Sequence, residues 1–269
     1  MLPGQGSPCH LRCRAPATVQ GWCLSRWRSG RIGNVLAVLR NVPEIQEIIV
    51  VDDGSTDSTL GDAKKAGEAD PRVKIIHHEV NLGKGEAIFT GAKTAKTPYL
   101  LFLDSDLINL KPHNITALMG PVLNGDADMT LGLFLGGKIN TDIPHWINPP
   151  LTGQRCLRAE LLRQVPVEAA KGYGIEIAIT IAAYREHYKV KLVAMKGVWH
   201  PPSELHRGFV SGMAWRANMY GEILRAWKVG RGTDALTERI IYEPTQQMRS
   251  YLKSRFRKAK NRAEAILRR

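Results

Sequence analysis

The chain has 269 residues, 43% hydrophobic and 23% charged, with a formal charge of +13; this is the make-up of a globular protein with ample material for a core. The charge sits at the ends: residues 1–40 hold six Arg and no acid, 246–269 hold nine Lys or Arg against one Glu, and 41–245 balance 23 basic against 24 acidic side chains. That distribution argues against a nucleic-acid-binding core. The lack of any 18-residue apolar run argues against a membrane-spanning helix.

Four cysteines, at 9, 13, 23 and 156, make neither a disulfide framework nor a zinc-ligand spacing. Nothing near the start reads as a secretory leader, so a cytoplasmic location is expected.

Residues 1–30 carry neither a period of 2 nor one of 3.6 and are rich in Arg, Cys, Trp, Gly and Pro. They read as an irregular or non-native segment. From Arg31 the pattern changes. Ile32, Val35, Leu36 and Leu39 have helical spacing, and Pro43 stops the helix. Glu47–Val51 reads as a buried strand running into the acidic turn Asp52-Asp53-Gly54-Ser55-Thr56-Asp57, with a helix following from about 58 to 69. Val73–His77 is the next strand. Asn81-Leu82-Gly83-Lys84-Gly85 then opens a helix to about 95.

Tyr99–Leu103 is a third apolar strand, and it ends in Asp104-Ser105-Asp106. Two carboxylates one residue apart at the mouth of a sheet supply hard oxygen donors for a divalent cation; a plain Asx-rich turn is the competing reading.

A helix at 112–123, a strand at 127–134, a loop at 136–150 rich in Gly, Pro and Asn, and a short helix after Arg158 follow. Gly172-Tyr173-Gly174-Ile175-Glu176 opens a helix to about 187, and 190–195 is a strand ended by Gly197-Val198-Trp199-His200. Helices at about 204–228 and 244–268 close the chain. Strands alternating with short helices predict an α/β fold with a mostly parallel sheet, whose ligands bind at the carboxyl ends of the strands.

The run Val50–Asp57, the turn Asn81–Gly85 and Leu103-Asp104-Ser105-Asp106 together resemble the signatures of inverting glycosyltransferases of the GT-A fold, family 2, over about residues 31–228. The resemblance implies a nucleotide-sugar donor, a UDP- or GDP-hexose, held with Mg2+ or Mn2+. It makes Asp106 the main metal ligand, Asp104 a ribose or water-mediated contact, and His200 a third ligand, with His206 as the fallback. It gives Asp52 the nucleobase, Gln154 the donor sugar, and Glu176 the role of general base or sugar contact. Asp53 is read as either a donor contact or a turn residue. Lys84, between glycines at a helix start, is placed to meet a phosphate. Glu176 at a helix start also has a plain dipole-stabilising reading.

Within the family, Asp104–Asn109 and Gly172–Ile177 are similar to glucosyl-3-phosphoglycerate synthases, which implies a small phosphorylated acid as acceptor. The segment 136–142 departs from their pattern, and this keeps a lipid-linked acceptor open, as in dolichyl-phosphate sugar synthases. A second departure concerns the start. The family opens with a strand before the first helix, and 21–30 does not match it. The expectation is therefore a GT-A domain at 31–228 lacking its first strand, either weakly active or a nucleotide-binding remnant.

Residues 229–269 are expected to form a linker and a basic amphipathic helix. That helix would lie over 246–269 on an anionic membrane surface, or would pack on the domain or on a second copy in a homodimer.

Overall fold

In a computed structural model of the protein the described residues are 19–25 as backbone, 31–135, 152–170 and 174–199, with Arg257 in a helix. The loop expected at 136–150, the helices at 204–228 and 244–268 (Arg257 apart), His200 and His206 lie outside the described residues.

Among the described residues seven strands form one sheet: β1 (Val19–Ser25), β2 (Ile45–Asp53), β3 (Val73–His78), β4 (Tyr99–Asp104), β5 (Met129–Leu135), β6 (Arg155–Arg158) and β7 (Val190–Lys196). Their order is β3-β2-β1-β4-β6-β5-β7, and only β6 runs antiparallel to its neighbours. The described helices are α1 (Ile32–Arg40), α2 (Thr59–Glu68), α3 (Lys84–Lys93), α4 (Pro112–Leu123), α5 (Ala159–Leu162) and α6 (Gly174–Arg185), with a single 3-10 turn at Val167–Ala170. This is the mixed, helix-flanked α/β architecture expected of the GT-A class.

The strands read as unbroken apolar runs because both faces of the sheet are covered. Ile48, Val50, Leu101 and Leu103 pack with Ile32, Val35, Leu36 and Leu39 of α1 and with Ile115 and Leu118 of α4. Their alternating neighbours Ile49, Val51, Leu100 and Phe102 pack with Ala87 and Ile88 of α3 and Ile175, Ala178 and Ile179 of α6. Each such fully buried Leu, Ile or Phe contributes roughly 1.5–3 kcal/mol. Every residue of α6 from Gly174 to Tyr184 is buried, as a helix that is apolar all round requires.

Two elements correct the expectation from sequence. The strand thought to be absent from 1–30 is present: Val19–Ser25 lies between β2 and β4 and pairs in parallel with both. Its sequence, Val-Gln-Gly-Trp-Cys-Leu-Ser, lacks a buried strand's apolar run, but a central slot supplies backbone partners on both sides, and strand preference is dominated by such context. Likewise Arg155–Arg158, read as the lead-in to a helix, is strand β6 between β4 and β5.

The chain leaves β1 for β2 and β3 on one side, then crosses to β4 on the other. The crevice beyond the carboxyl ends of β1 and β4 is thus the topological switch point at which ligands of such sheets bind.

Candidate active site

Asp104 ends β4 on the face of Leu100 and Phe102. Since side chains alternate along a strand, it points to where α3 and α6 begin. Its Oδ1 lies 2.9 Å from Lys84 Nζ, and the same ammonium lies 2.7 Å from Glu176 Oε1. Gln154 brackets Asp104 from the other side. Its Nε2 donates to Asp104 Oδ2 at 2.9 Å, and its Oε1 accepts the Asp104 backbone N–H at 3.1 Å. Burial works against the charge on Lys84, but Asp104 and then Glu176 outweigh it and hold the ammonium protonated far above the usual lysine range. The other oxygen of Glu176, Oε2, is buried and has no hydrogen-bond partner among the described residues.

Arg155 supports this group from beneath. It is fully buried, Nη1 donates to the Glu176 carbonyl at 3.1 Å, and Nη2 donates to the Thr152 carbonyl. Burial lowers its pKa to about 10 against the opposing pull of Glu176 and Asp104, so it stays charged at neutral pH. Two cations therefore face two carboxylates. Gly153 closes the contact: a Cβ there would sit 2.7 and 2.9 Å from the Asp104 oxygens and 2.9 Å from Lys84 Nζ. Thr152 fixes the approach to β6 through its hydroxyl, which donates to the Gly132 carbonyl at 2.6 Å.

The second acidic turn is built by strand register. Asp52 and Asp53 stand opposite His77 and His78 in the parallel β2–β3 pair. Asp53 has both oxygens engaged. Oδ1 meets His78 Nδ1 at 2.9 Å and the Leu82 N–H at 2.8 Å, and Oδ2 accepts the Gly83 N–H at 2.8 Å. His78 reaches Thr90 Oγ1 of α3 with its other nitrogen, at 3.1 Å. Asp53 therefore anchors the turn that presents Lys84. Gly54, at φ +68°, lets that turn approach: a Cβ would come within 2.7 Å of the Val80–Asn81 backbone. Asp57 caps the start of α2 through the Thr59 N–H at 3.0 Å. Asp52 is fully buried, with Oδ2 at 2.8 Å from His77 Nδ1 and Oδ1 without a partner among the described residues.

Asp106 lies two residues beyond β4, half-buried. The chain just after it is stitched to the end of β7. Ile108 and Trp199 exchange backbone hydrogen bonds at 2.8 and 3.2 Å, and Asn109 Nδ2 donates to the Gly197 carbonyl at 3.0 Å. Trp199 immediately precedes His200. Among the described residues no three His, Cys, Asp or Glu side chains form a full metal shell. The half-buried carboxylate of Asp106 offers the hard oxygen donors a divalent cation takes, whereas both oxygens of Asp104, expected as a further metal contact, are engaged by Lys84 and Gln154.

The structure thus gathers Lys84, Asp104, Gln154 and Glu176 into one contact group and puts Asp52 and Asp53 at the neighbouring strand end. Lys84, expected at a phosphate, is held between two carboxylates. Arg155, His77 and His78 were not singled out from sequence. A signal existed for the histidines, since two His end a strand adjacent to one ending in two Asp. None marked Arg155.

A sequence profile, Glycosyl transferase family 2, matches residues 28–178. The chain belongs to that family. Among its family relatives, glucosyl-3-phosphoglycerate synthase of Mycolicibacterium paratuberculosis is 30% identical over 175 residues, 52% of this chain and 51% of that one. Dodecaprenyl-phosphate galacturonate synthase of Rhizobium johnstonii is 30% identical over 151 residues, 50% and 44% of the two chains. The chain spans about half the length of these curated relatives. The fold matches a crystal structure of glucosyl-3-phosphoglycerate synthase from Mycobacterium tuberculosis in complex with Mn2+, UDP and phosphoglyceric acid. The TM-score is 0.65 at 24% identity, covering 80% of this chain and 79% of that one.

Proposed function

We propose that this family 2 member is a metal-dependent inverting glycosyltransferase that moves a hexose from a nucleotide diphosphate sugar to a hydroxyl of a small phosphorylated acid. The observation that carries the reading is the closed group Asp104–Lys84–Glu176–Gln154 at the switch point, with a buried oxygen on Glu176 that has no partner among the described residues.

In this reading Asp106 and His200 would hold Mg2+ or Mn2+ when the donor binds. The cation supplies positive charge to the departing group. The protein's own groups do the rest. Asp52 accepts a hydrogen bond from the nucleobase. Lys84 fixes Asp104 and Glu176 in place, and Gln154 fixes Asp104 from the other side. Glu176 Oε2 accepts the proton of the incoming hydroxyl as its oxygen bonds to the anomeric carbon. The anomeric carbon–phosphate oxygen bond breaks on the opposite face, its electron pair leaving on the diphosphate. Inversion follows from that geometry.

Two observations bear on the acceptor. The relatives named glucosyl-3-phosphoglycerate synthase support a phosphorylated acid. The dodecaprenyl-phosphate galacturonate synthase supports a polyprenyl phosphate. Among the described residues no helix is long and apolar enough to cross a membrane.

The test is calorimetric titration of the full chain with UDP, UDP-glucose and GDP-mannose, with Mn2+ or Mg2+ and again with EDTA. Transfer from the bound donor to 3-phosphoglycerate or to dodecaprenyl phosphate follows. Metal-dependent binding that disappears in Asp106→Ala, with product on 3-phosphoglycerate, is expected. Product only on the polyprenyl phosphate moves the chain to the second acceptor class. Binding without product on either makes it a nucleotide-binding remnant.

A further inference from the structure

The two Asp–His pairs at the end of β2 and β3 differ in one respect. Asp53 has both oxygens occupied, by His78 and by two backbone N–H groups. Asp52 has one oxygen on His77 and the other buried with no donor among the described residues. A buried carboxylate oxygen left unpaired costs about 1–3 kcal/mol or more, so its retention points to a donor that arrives with a ligand. We infer that His77 is a positioning residue for nucleobase selection, acting through Asp52. The inference rests on the donor-site reading above and names the residue that sets its specificity.

The geometry carries the argument. His77 and Asp52 are direct partners in the parallel register, so the pairing of β2 with β3 brings the two side chains together. A carboxylate only accepts, so the proton of the contact sits on His77 Nδ1. With Oδ2 held at 2.8 Å, the carboxylate cannot turn, and Oδ1 becomes an acceptor in a fixed place. His77 itself is 40% exposed and Asp52 fully buried, so the imidazole lies on the outer side of the pair. A fixed acceptor matches a base edge that presents a ring N–H, as uracil does at N3 and guanine at N1. It opposes a ring lone pair, as in cytosine at N3 and adenine at N1. Without the donor on His77 the carboxylate turns, and the discrimination goes with it.

The test compares side chains that differ in where they put one N–H. Asn places its amide nitrogen where Nδ1 lies; Gln places its own near Nε2; Leu has none. Wild type, His77→Asn, His77→Gln and His77→Leu are titrated with UDP against CDP, and with GDP against ADP, in Mn2+. The donor KM and kcat are measured beside them.

In His77→Gln and His77→Leu, UDP binding is expected to weaken about tenfold, the loss of one hydrogen bond to a charged group. Their preference for the N–H-bearing base falls towards one. His77→Asn keeps both affinity and preference. The donor KM follows the affinities, while kcat at saturation stays within about twofold, the pattern of lost ground-state binding. A purely structural histidine would not separate Asn from Gln.

Unchanged affinity and preference in His77→Gln, or an Asn variant that behaves like Leu, overturns the inference. If Asp52→Ala weakens nucleotide binding while His77→Leu and His77→Gln do not, His77 alone loses its role. If wild type binds none of the four nucleotides, or Asp52→Ala changes nothing, the donor-site reading falls and takes this inference with it.

Discussion

The two acidic strand ends look alike in sequence and are held by different physics. At the end of β2, Asp52 and Asp53 are adjacent and point to opposite faces. Their partners are imidazoles and the backbone N–H groups of Leu82 and Gly83. At the end of β4, Asp104 lies against a fixed cation shared with Glu176. The first end is held by strand register and dipoles, the second by a balance of full charges. A buried charge left alone is costlier than a hydrogen bond left unmade. The β4 end is therefore the more fragile under single substitutions, and the β2 end the more forgiving.

The sharpest way to break this contrast is Lys84→Met, which leaves two carboxylates facing each other. A loss of about 3 kcal/mol in urea unfolding is expected, as for removal of one member of a buried ion pair, together with loss of sugar transfer. Lys84→Arg should recover only part of either, since a forked guanidinium does not replace a compact ammonium. Wild-type stability in Lys84→Met would place the weight of the site elsewhere.

Gly153→Ala tests the same end without touching a charge. Its Cβ would press on Asp104 and Lys84, and overpacking of this kind costs about 1–3 kcal/mol. Stability should fall by that amount in thermal unfolding and transfer should drop. If activity is unchanged, the contact is looser than its distances imply.

The smallest effect is expected at the β2 end. Asp53→Asn keeps one acceptor oxygen and sets an amide N–H2 against a former donor, for a loss of about 1–2 kcal/mol. Hydrogen exchange at Leu82 and Gly83 should rise while that at α6 stays put. Equal losses in Asp53→Asn and Lys84→Met would erase the distinction between the two ends.

Much of this arrangement was legible in the sequence, because strands covered on both faces are long apolar runs and helix starts carry their own signals. Ile45–Asp53, Val73–His78 and Tyr99–Asp104 could be read that way, as could the helices that begin at Lys84 and Pro112. What escaped was whatever depends on a distant partner. Val19–Ser25 has no strand pattern of its own and is a strand because β2 and β4 flank it. Arg155–Arg158 hides as a strand because it is short and begins with a charge. That charge is buried where the carbonyls of Thr152 and Glu176 receive it. Lys84 was legible as a functional lysine, but its partners stand 20 residues away in Asp104 and 92 away in Glu176. No local pattern reports them.

The reversed direction of β6 has a consequence for how an error in strand pairing would reach the site. β5 ends and β6 begins at the sheet edge where β4 ends in Asp104. Thr152, Gly153 and Gln154 are delivered on the way in. A one-residue slip of β6 against β4 or β5 would turn its side chains to the opposite face and draw Gln154 away from Asp104, so sheet register guards the site's geometry.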